Sequence, residues 1–175
     1  MRKRFLFIAM CVILAVAGLW YIAADTGKAT KKVQAPVEAG VTPGKGFAGF
    51  ALADLEGKQI TVGQPGKVTV INFWATWCPP CREEMPELDR FAQKYRQSVA
   101  FYAINIQEHS NKVSEFLKQN KYTMAVLFDS DGAVAKNFRI SAIPTTIVID
   151  KAGVIKHRKS GPMTMNELEE IMKGL

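Results

Sequence analysis

A chain of 175 residues has room for one domain of ordinary size and a tail, and too little for two full domains. Its apolar share of 48% and charged share of 22% are those of an ordinary globular protein once an apolar first stretch is set aside. The formal charge of +7 does not make it a nucleic-acid binder, because Arg2, Lys3 and Arg4 and the four lysines of residues 25–46 carry most of the surplus, and the rest is nearly neutral with no basic stripe.

After Met1-Arg2-Lys3-Arg4, the run Phe5 to Ala24 contains no charge. At 1.5 Å per residue a helix of this length spans about 30 Å, the hydrocarbon thickness of a bilayer. The basic cluster before it predicts a cytoplasmic N-terminus and delivery of everything after Ala24 to the extracytoplasmic side, with Trp20 and Tyr21 near the outer interface. Residues 1–24 are thus expected to be an uncleaved membrane anchor. The competing reading is a cleaved signal peptide with a small-residue site at Ala15-Val16-Ala17, which delivers the domain to the same side. Cys11 reads as an apolar side chain within the membrane. Residues 25–46 mix Gly, Pro, Thr, Lys and Ala with no apolar period, the composition of a flexible linker, so the folded domain is expected over residues 47–175.

Within that domain Phe50 to Leu55 and Gln59 to Val62, punctuated by Glu56-Gly57-Lys58, predict a hairpin. The β-branched and aromatic run Val68 to Trp74 predicts a central strand. Met85, Leu88, Phe91, Ala92 and Tyr95 recur at helical steps and predict a helix from Cys81 to about Arg96, kinked at Pro86. Further on, the pattern predicts a strand over 99–106, a helix over 111–120, a strand over 124–128 and a short helix over 133–138. A closing hairpin follows over 145–150 and 154–159, then a last helix over 164–172. Alternating strands and helices that end in a hairpin define an α/β fold, a central mixed sheet flanked by helices and preceded by an N-terminal hairpin.

Cys78 and Cys81 are too close in sequence to be an effective staple, since disulfide stabilisation grows with loop length. Short-range pairs of this kind carry redox or metal chemistry. A structural zinc site needs four ligands, and His109 and His157 lack ligand spacing; haem attachment would need a histidine where Arg82 stands. Cys78 lies where strand gives way to helix, and a helix N-terminus lowers a thiol pKa by favouring negative charge. Cys78 is therefore expected to be the exposed attacking thiol, with a pKa below the ordinary value of about 8.5. Cys81, one turn later, resolves the mixed disulfide. Pro79 and Pro80 suit helix entry, where a missing N–H costs nothing.

Asn72-Phe73-Trp74-Ala75-Thr76-Trp77-Cys78-Pro79-Pro80-Cys81-Arg82 resembles the active-site signature of the thioredoxin superfamily, and within it the membrane-anchored ResA and TlpA group of extracytoplasmic thiol-disulfide oxidoreductases. Pro86 falls where that family's first active-site helix is kinked, and Ile143-Pro144-Thr145-Thr146 resembles its cis-proline loop. The resemblance implies a thioredoxin-like fold with an inserted strand-helix unit between Cys81 and Pro144. It also implies a substrate shelf at Ile143 and Pro144, with Trp77 shielding the thiol and Trp77 and Pro79 completing the substrate surface. Thioredoxin itself has a buried aspartate where this chain has Asn72, and Glu84 matches a glutamate that serves as proton relay in the ResA group. The plainer role for Glu84 is an acidic first-turn residue that stabilises the helix dipole.

The activity expected is reduction of disulfides in partner proteins, with electrons from a membrane thiol donor, no nucleic acid, no metal, and no cofactor beyond the redox-active Cys78–Cys81 disulfide. The resembling group's usual customer is apocytochrome c. A disulfide-forming oxidase, a thiol peroxidase and a copper-binding assembly factor are the rival activities. His109 and His157 are assigned no role.

Overall fold

The computed structural model describes residues 38–175; the expected anchor, Cys11 and residues 25–37 of the expected linker lie outside them. Among the described residues no helix is long and apolar enough to cross a membrane. The elements are β1 (Ala39–Gly40), β2 (Gly46–Phe47), β3 (Phe50–Ala53), β4 (Gln59–Val62), β5 (Val68–Trp74), α1 (Pro79–Lys94), β6 (Val99–Ile106), α2 (Ser110–Asn120), β7 (Val126–Asp129), α3 (Ala133–Asn137), β8 (Thr145–Ile149), β9 (Ile155–Ser160) and α4 (Met165–Lys173).

Seven strands form one sheet in the order β4-β3-β7-β6-β5-β8-β9. β5 runs parallel to β6 and antiparallel to β8, and β3 and β4 form the expected hairpin with Phe50 opposite Val62. All of β5 is buried, as the unbroken β-branched and aromatic run predicts for a strand covered on both faces. Its side chains alternate. Val68, Val70 and Trp74 join a core with Met85, Leu88 and Phe91 of α1, Val113 and Leu117 of α2 and Leu168 of α4. Ile71 and Phe73 join a second core with Ile104, Ile147, Val134 and Phe138 on the other face. Asn72 shares the α1 face with Val70 and Trp74, and this period-two placement aims a polar side chain at the first active-site helix.

α1 carries Pro79 and Pro80 at its first two positions and ends at Lys94, two residues short of the predicted end. Pro86 lies inside it on the exposed side. The strand predicted from Met124 begins instead at Val126, because the Asp89 carboxylate takes the N–H groups of Thr123 (2.7 Å) and Met124 (2.8 Å) that a ladder would use. Two strands and two helices, β6-α2-β7-α3, fill the interval between Cys81 and Pro144, as its length implies.

Residues 39–46 were expected within the linker, and they carry β1 and the first residue of β2. Gly44 N–H donates to Ile155 O, Ile155 N–H to Lys45 O and Phe47 N–H to Gly153 O, so this segment covers the start of edge strand β9. Two-residue strands show no periodicity, which is why composition alone reads as linker. Phe47 in turn packs against Gly63, where an added Cβ would meet its ring at 2.4 Å.

Asp89 is buried, and replacing it with Ala strands the Thr123 and Met124 N–H groups. The Asp89→Ala variant is expected to lose about 2 to 4 kcal/mol in urea unfolding, with its disulfide chemistry kept.

Candidate active site

β5 ends at Trp74, and the chain turns through Ala75-Thr76-Trp77 into α1, a turn closed by Cys78 N–H donating to Ala75 O at 3.2 Å. Cys78 is the N-cap of α1, and its sulfur accepts the Cys81 N–H at 3.3 Å. Cys78 and Cys81 are joined in a disulfide with Cα atoms 5.3 Å apart. The capping N–H and the helix dipole both point at Cys78 Sγ, so on reduction negative charge is favoured there. The expected exposure is corrected: Cys78 is only 3% exposed and Cys81 fully buried, because both are packed into the α1-side core. The exposed group is Trp77, at 64%, which stands out into solvent beside an enclosed sulfur.

On the other side of Cys78, the Ile143-Pro144 peptide is cis, and the Ile143 carbonyl oxygen lies 3.7 Å from Cys78 Sγ. Trp77 and Ile143 line one groove of about 690 Å³ with Ile106, Ala135, Ile140 and Ala142. α3, which forms one wall of this groove, is seated by Asp129, whose two oxygens accept the N–H groups of Val134 and Ala135. Pro79 is not in this groove. It lines a separate hollow with Arg82, Glu83 and Phe116, and Pro144 is buried beneath the loop.

Glu84 lies three residues after Cys81 on the buried face of α1. Its Oε1 accepts from Asn72 Nδ2 at 2.7 Å and its Oε2 from the Met163 N–H at 2.6 Å, while Asn72 Nδ2 also donates to the Thr146 hydroxyl at 3.0 Å. Burial pushes the carboxyl pKa from 4.5 up to about 7, against the opposing pull of the Met163 and Asn72 donors and of Lys159. The helix-dipole role is corrected: α1 has no acidic residue in its first turn, and Glu84 lies beyond it on the buried face while Glu83 faces solvent. Trp74 is plain core, as its place in the strand predicts.

Two contributors carry no sequence signal. Met163 binds Glu84 through its backbone from 79 residues away, and Glu108, between β6 and α2, binds the turn residue Thr76. Among the described residues no cluster of three or more His, Cys, Asp or Glu could hold a metal.

A dithiol pair at a helix N-terminus, buried against a cis-proline loop, is built to make and break one disulfide, and it defines the class of thioredoxin-like thiol-disulfide oxidoreductases. The chain belongs to the Redoxin family, which matches residues 28–174. It is 31% identical to the thiol-disulfide oxidoreductase ResA of Bacillus thuringiensis subsp. konkukian over 99% of this chain and 98% of that protein. It is 34% identical to the sporulation thiol-disulfide oxidoreductase A of Bacillus subtilis over 69% of this chain and 76% of that one. The crystal structure of StoA from Bacillus subtilis superposes with a TM-score of 0.65 at 32% identity, over 76% of this chain and 99% of that one. The protein is therefore a thiol-disulfide oxidoreductase of the ResA and StoA type, whose redox group is the Cys78–Cys81 disulfide itself.

The raised carboxyl gives stability a defined pH dependence. Between 4.5 and about 7 folded Glu84 keeps a proton that the unfolded chain has released, so its contribution is complete below about 4.5 and is lost as pH rises through 7. Glu84→Gln does not titrate. Its stability relative to the parent oxidised protein is expected to improve by about 3 kcal/mol from pH 4.5 to 8 in urea unfolding. A constant offset at all pH values is expected as well, because one amide oxygen replaces two accepting oxygens.

Proposed function

We propose that this protein is a membrane-tethered, extracytoplasmic reductase of protein disulfides in which Cys78 attacks, Cys81 resolves and Glu84 relays the resolving thiol's proton. The observation that carries the proposal is the buried carboxyl, held near neutral, on the helix face that bears Cys81. In the reaction the Cys78 thiolate attacks a substrate disulfide, forms a mixed disulfide and expels one substrate thiolate. Glu84 then takes the Cys81 proton, and the Cys81 thiolate attacks Cys78 Sγ, forming the internal disulfide and releasing the second substrate thiolate. Two electrons pass to the substrate. A carboxyl at about 7 is closer to a thiol pKa than an ordinary carboxylate, which narrows the proton-transfer gap.

Tethering is supported by the uncharged run Phe5 to Ala24 behind a basic cluster, and the outward location by the positive-inside rule. A membrane thiol carrier is then the electron donor. Trp77 and Ile143, which share a groove beside the sulfur, are the proposed substrate contacts, with Pro144 as their support and Pro79 at the rim. Resemblance to the ResA and TlpA group supports apocytochrome c as the substrate.

Cys81→Ala is expected to trap partner proteins as mixed disulfides on Cys78, and Cys78→Ala to trap none; equal trapping by both would remove the ordered mechanism. The direction is tested with an oxidised peptide bearing the Cys-x-x-Cys-His sequence and the reduced protein. Rapid reduction of the peptide is expected, slowed about a hundred-fold or more by Glu84→Gln. Net oxidation of the reduced peptide by the disulfide form would make the protein a disulfide-forming oxidase instead.

A further inference from the structure

The turn that presents Cys78 is held from below. Gln107 adopts a left-handed backbone, with φ of 53°, its N–H bound to Asp129 O at 3.1 Å. That conformation is disfavoured for a residue with a Cβ by about 1 kcal/mol or more. It delivers the next residue, Glu108, beneath the β5-α1 turn. Glu108 Oε2 accepts the Thr76 N–H at 2.6 Å and Asn105 Nδ2 at 2.9 Å, and Oε1 accepts the Thr76 hydroxyl at 2.6 Å and Lys112 Nζ at 2.7 Å. The Glu108 side chain is 4% exposed, whereas that of Lys112 is 59% exposed. Burial alone would raise its pKa, but Lys112, Thr76 and Asn105 outweigh that and hold it down at about 2, so it stays ionised at any working pH. A buried carboxylate with four donors is a strong tether, because each bond is charge-assisted.

Thr76 is two residues before Cys78, and the turn's own internal bond, Cys78 N–H to Ala75 O, leaves the Thr76 N–H to Glu108. We propose that Glu108 is a positioning residue of the redox site, whose carboxylate fixes the Ala75–Cys78 turn and with it the seat of Cys78 at the start of α1 and the outward stance of Trp77. The proposal rests on the reading of Cys78 as the attacking sulfur. Attack on a disulfide requires the thiolate to approach along the S–S axis. A bulky protein substrate docked on the Trp77–Ile143 groove fixes that axis, so the turn must place the sulfur correctly. A small disulfide can turn to meet the sulfur and depends on the turn much less.

Glu108→Ala removes the tether. Glu108→Gln keeps most of it, since its oxygen can accept from Thr76 N–H and Asn105, and its amide can donate to the Thr76 hydroxyl, which accepts as readily as it donates. Thr76→Val removes only the hydroxyl link. The experiment measures reaction of the reduced full-length protein with the interchain disulfides of insulin and with 5,5′-dithiobis(2-nitrobenzoate), alongside thermal unfolding. Glu108→Ala is expected to slow insulin reduction about ten-fold or more and the small disulfide far less. Glu108→Gln is expected to stay close to the parent, with Thr76→Val in between. Should Glu108→Ala not fold, the Gln and Val variants carry the same comparison. The proposal is overturned if the Ala or Val variants lose thermal stability while both rates and their ratio stay at the parent values, or if the Gln variant loses as much as the Ala variant. Failure of the Cys78 reading shows separately, as absence of mixed disulfides in Cys81→Ala.

Discussion

A carboxyl group buried behind the disulfide is the constraint around which this site is arranged. Glu84 accepts one hydrogen bond from β5 through Asn72 and one from the connection between β9 and α4 through Met163. Helix, central strand and C-terminal connection therefore meet at one acid, and the two donors offset part of the cost of taking it from water. They do not offset all of it, so the proton is held to about pH 7. An amide at position 72 belongs to this design: it is a donor that cannot titrate, and it hands the titratable role to the helix.

Around that acid the two cysteines occupy unequal surroundings. Cys78 caps the helix and takes a backbone N–H on its sulfur, while Cys81 lies a turn deeper on the face that bears Glu84. On reduction the helix dipole and the capping N–H thus favour negative charge on the first sulfur. Both sulfurs are enclosed in the oxidised state, and the groove beside them is lined by Trp77 and the Ile143 loop.

The supports of the site are also acids. Asp129 seats α3, Asp89 ties α1 to the segment before β7, and Glu108 holds the turn before Cys78. Each accepts backbone N–H groups that the sheet and helices leave over at their ends, which is where buried polar groups demand partners.

Much of this architecture was legible in the chain. The run Val68 to Trp74 announced a strand buried on both faces, the spacing of Met85, Leu88 and Phe91 announced a helix, and the cysteine pair between them announced redox chemistry, because periodicity and short motifs are local properties. Glu84 was recognisable from its spacing to Cys81. The burial that raises its pKa, and the Asn72 and Met163 donors that oppose the rise, were not, since both depend on chain segments distant in sequence. Residues 39–46 read as linker because their two-residue strands show no periodicity and the segment they are tied to lies beyond residue 150. Glu108 gave no motif at all, and its contact with Thr76 arises only when β6 aligns beside β5 and the chain turns left-handed at Gln107. The sequence by itself determined the strand-turn-helix that carries the cysteines. Which side chains enclose and tether that pair was decided by tertiary packing, because those partners are brought together only by sheet register and by chain segments far apart in sequence.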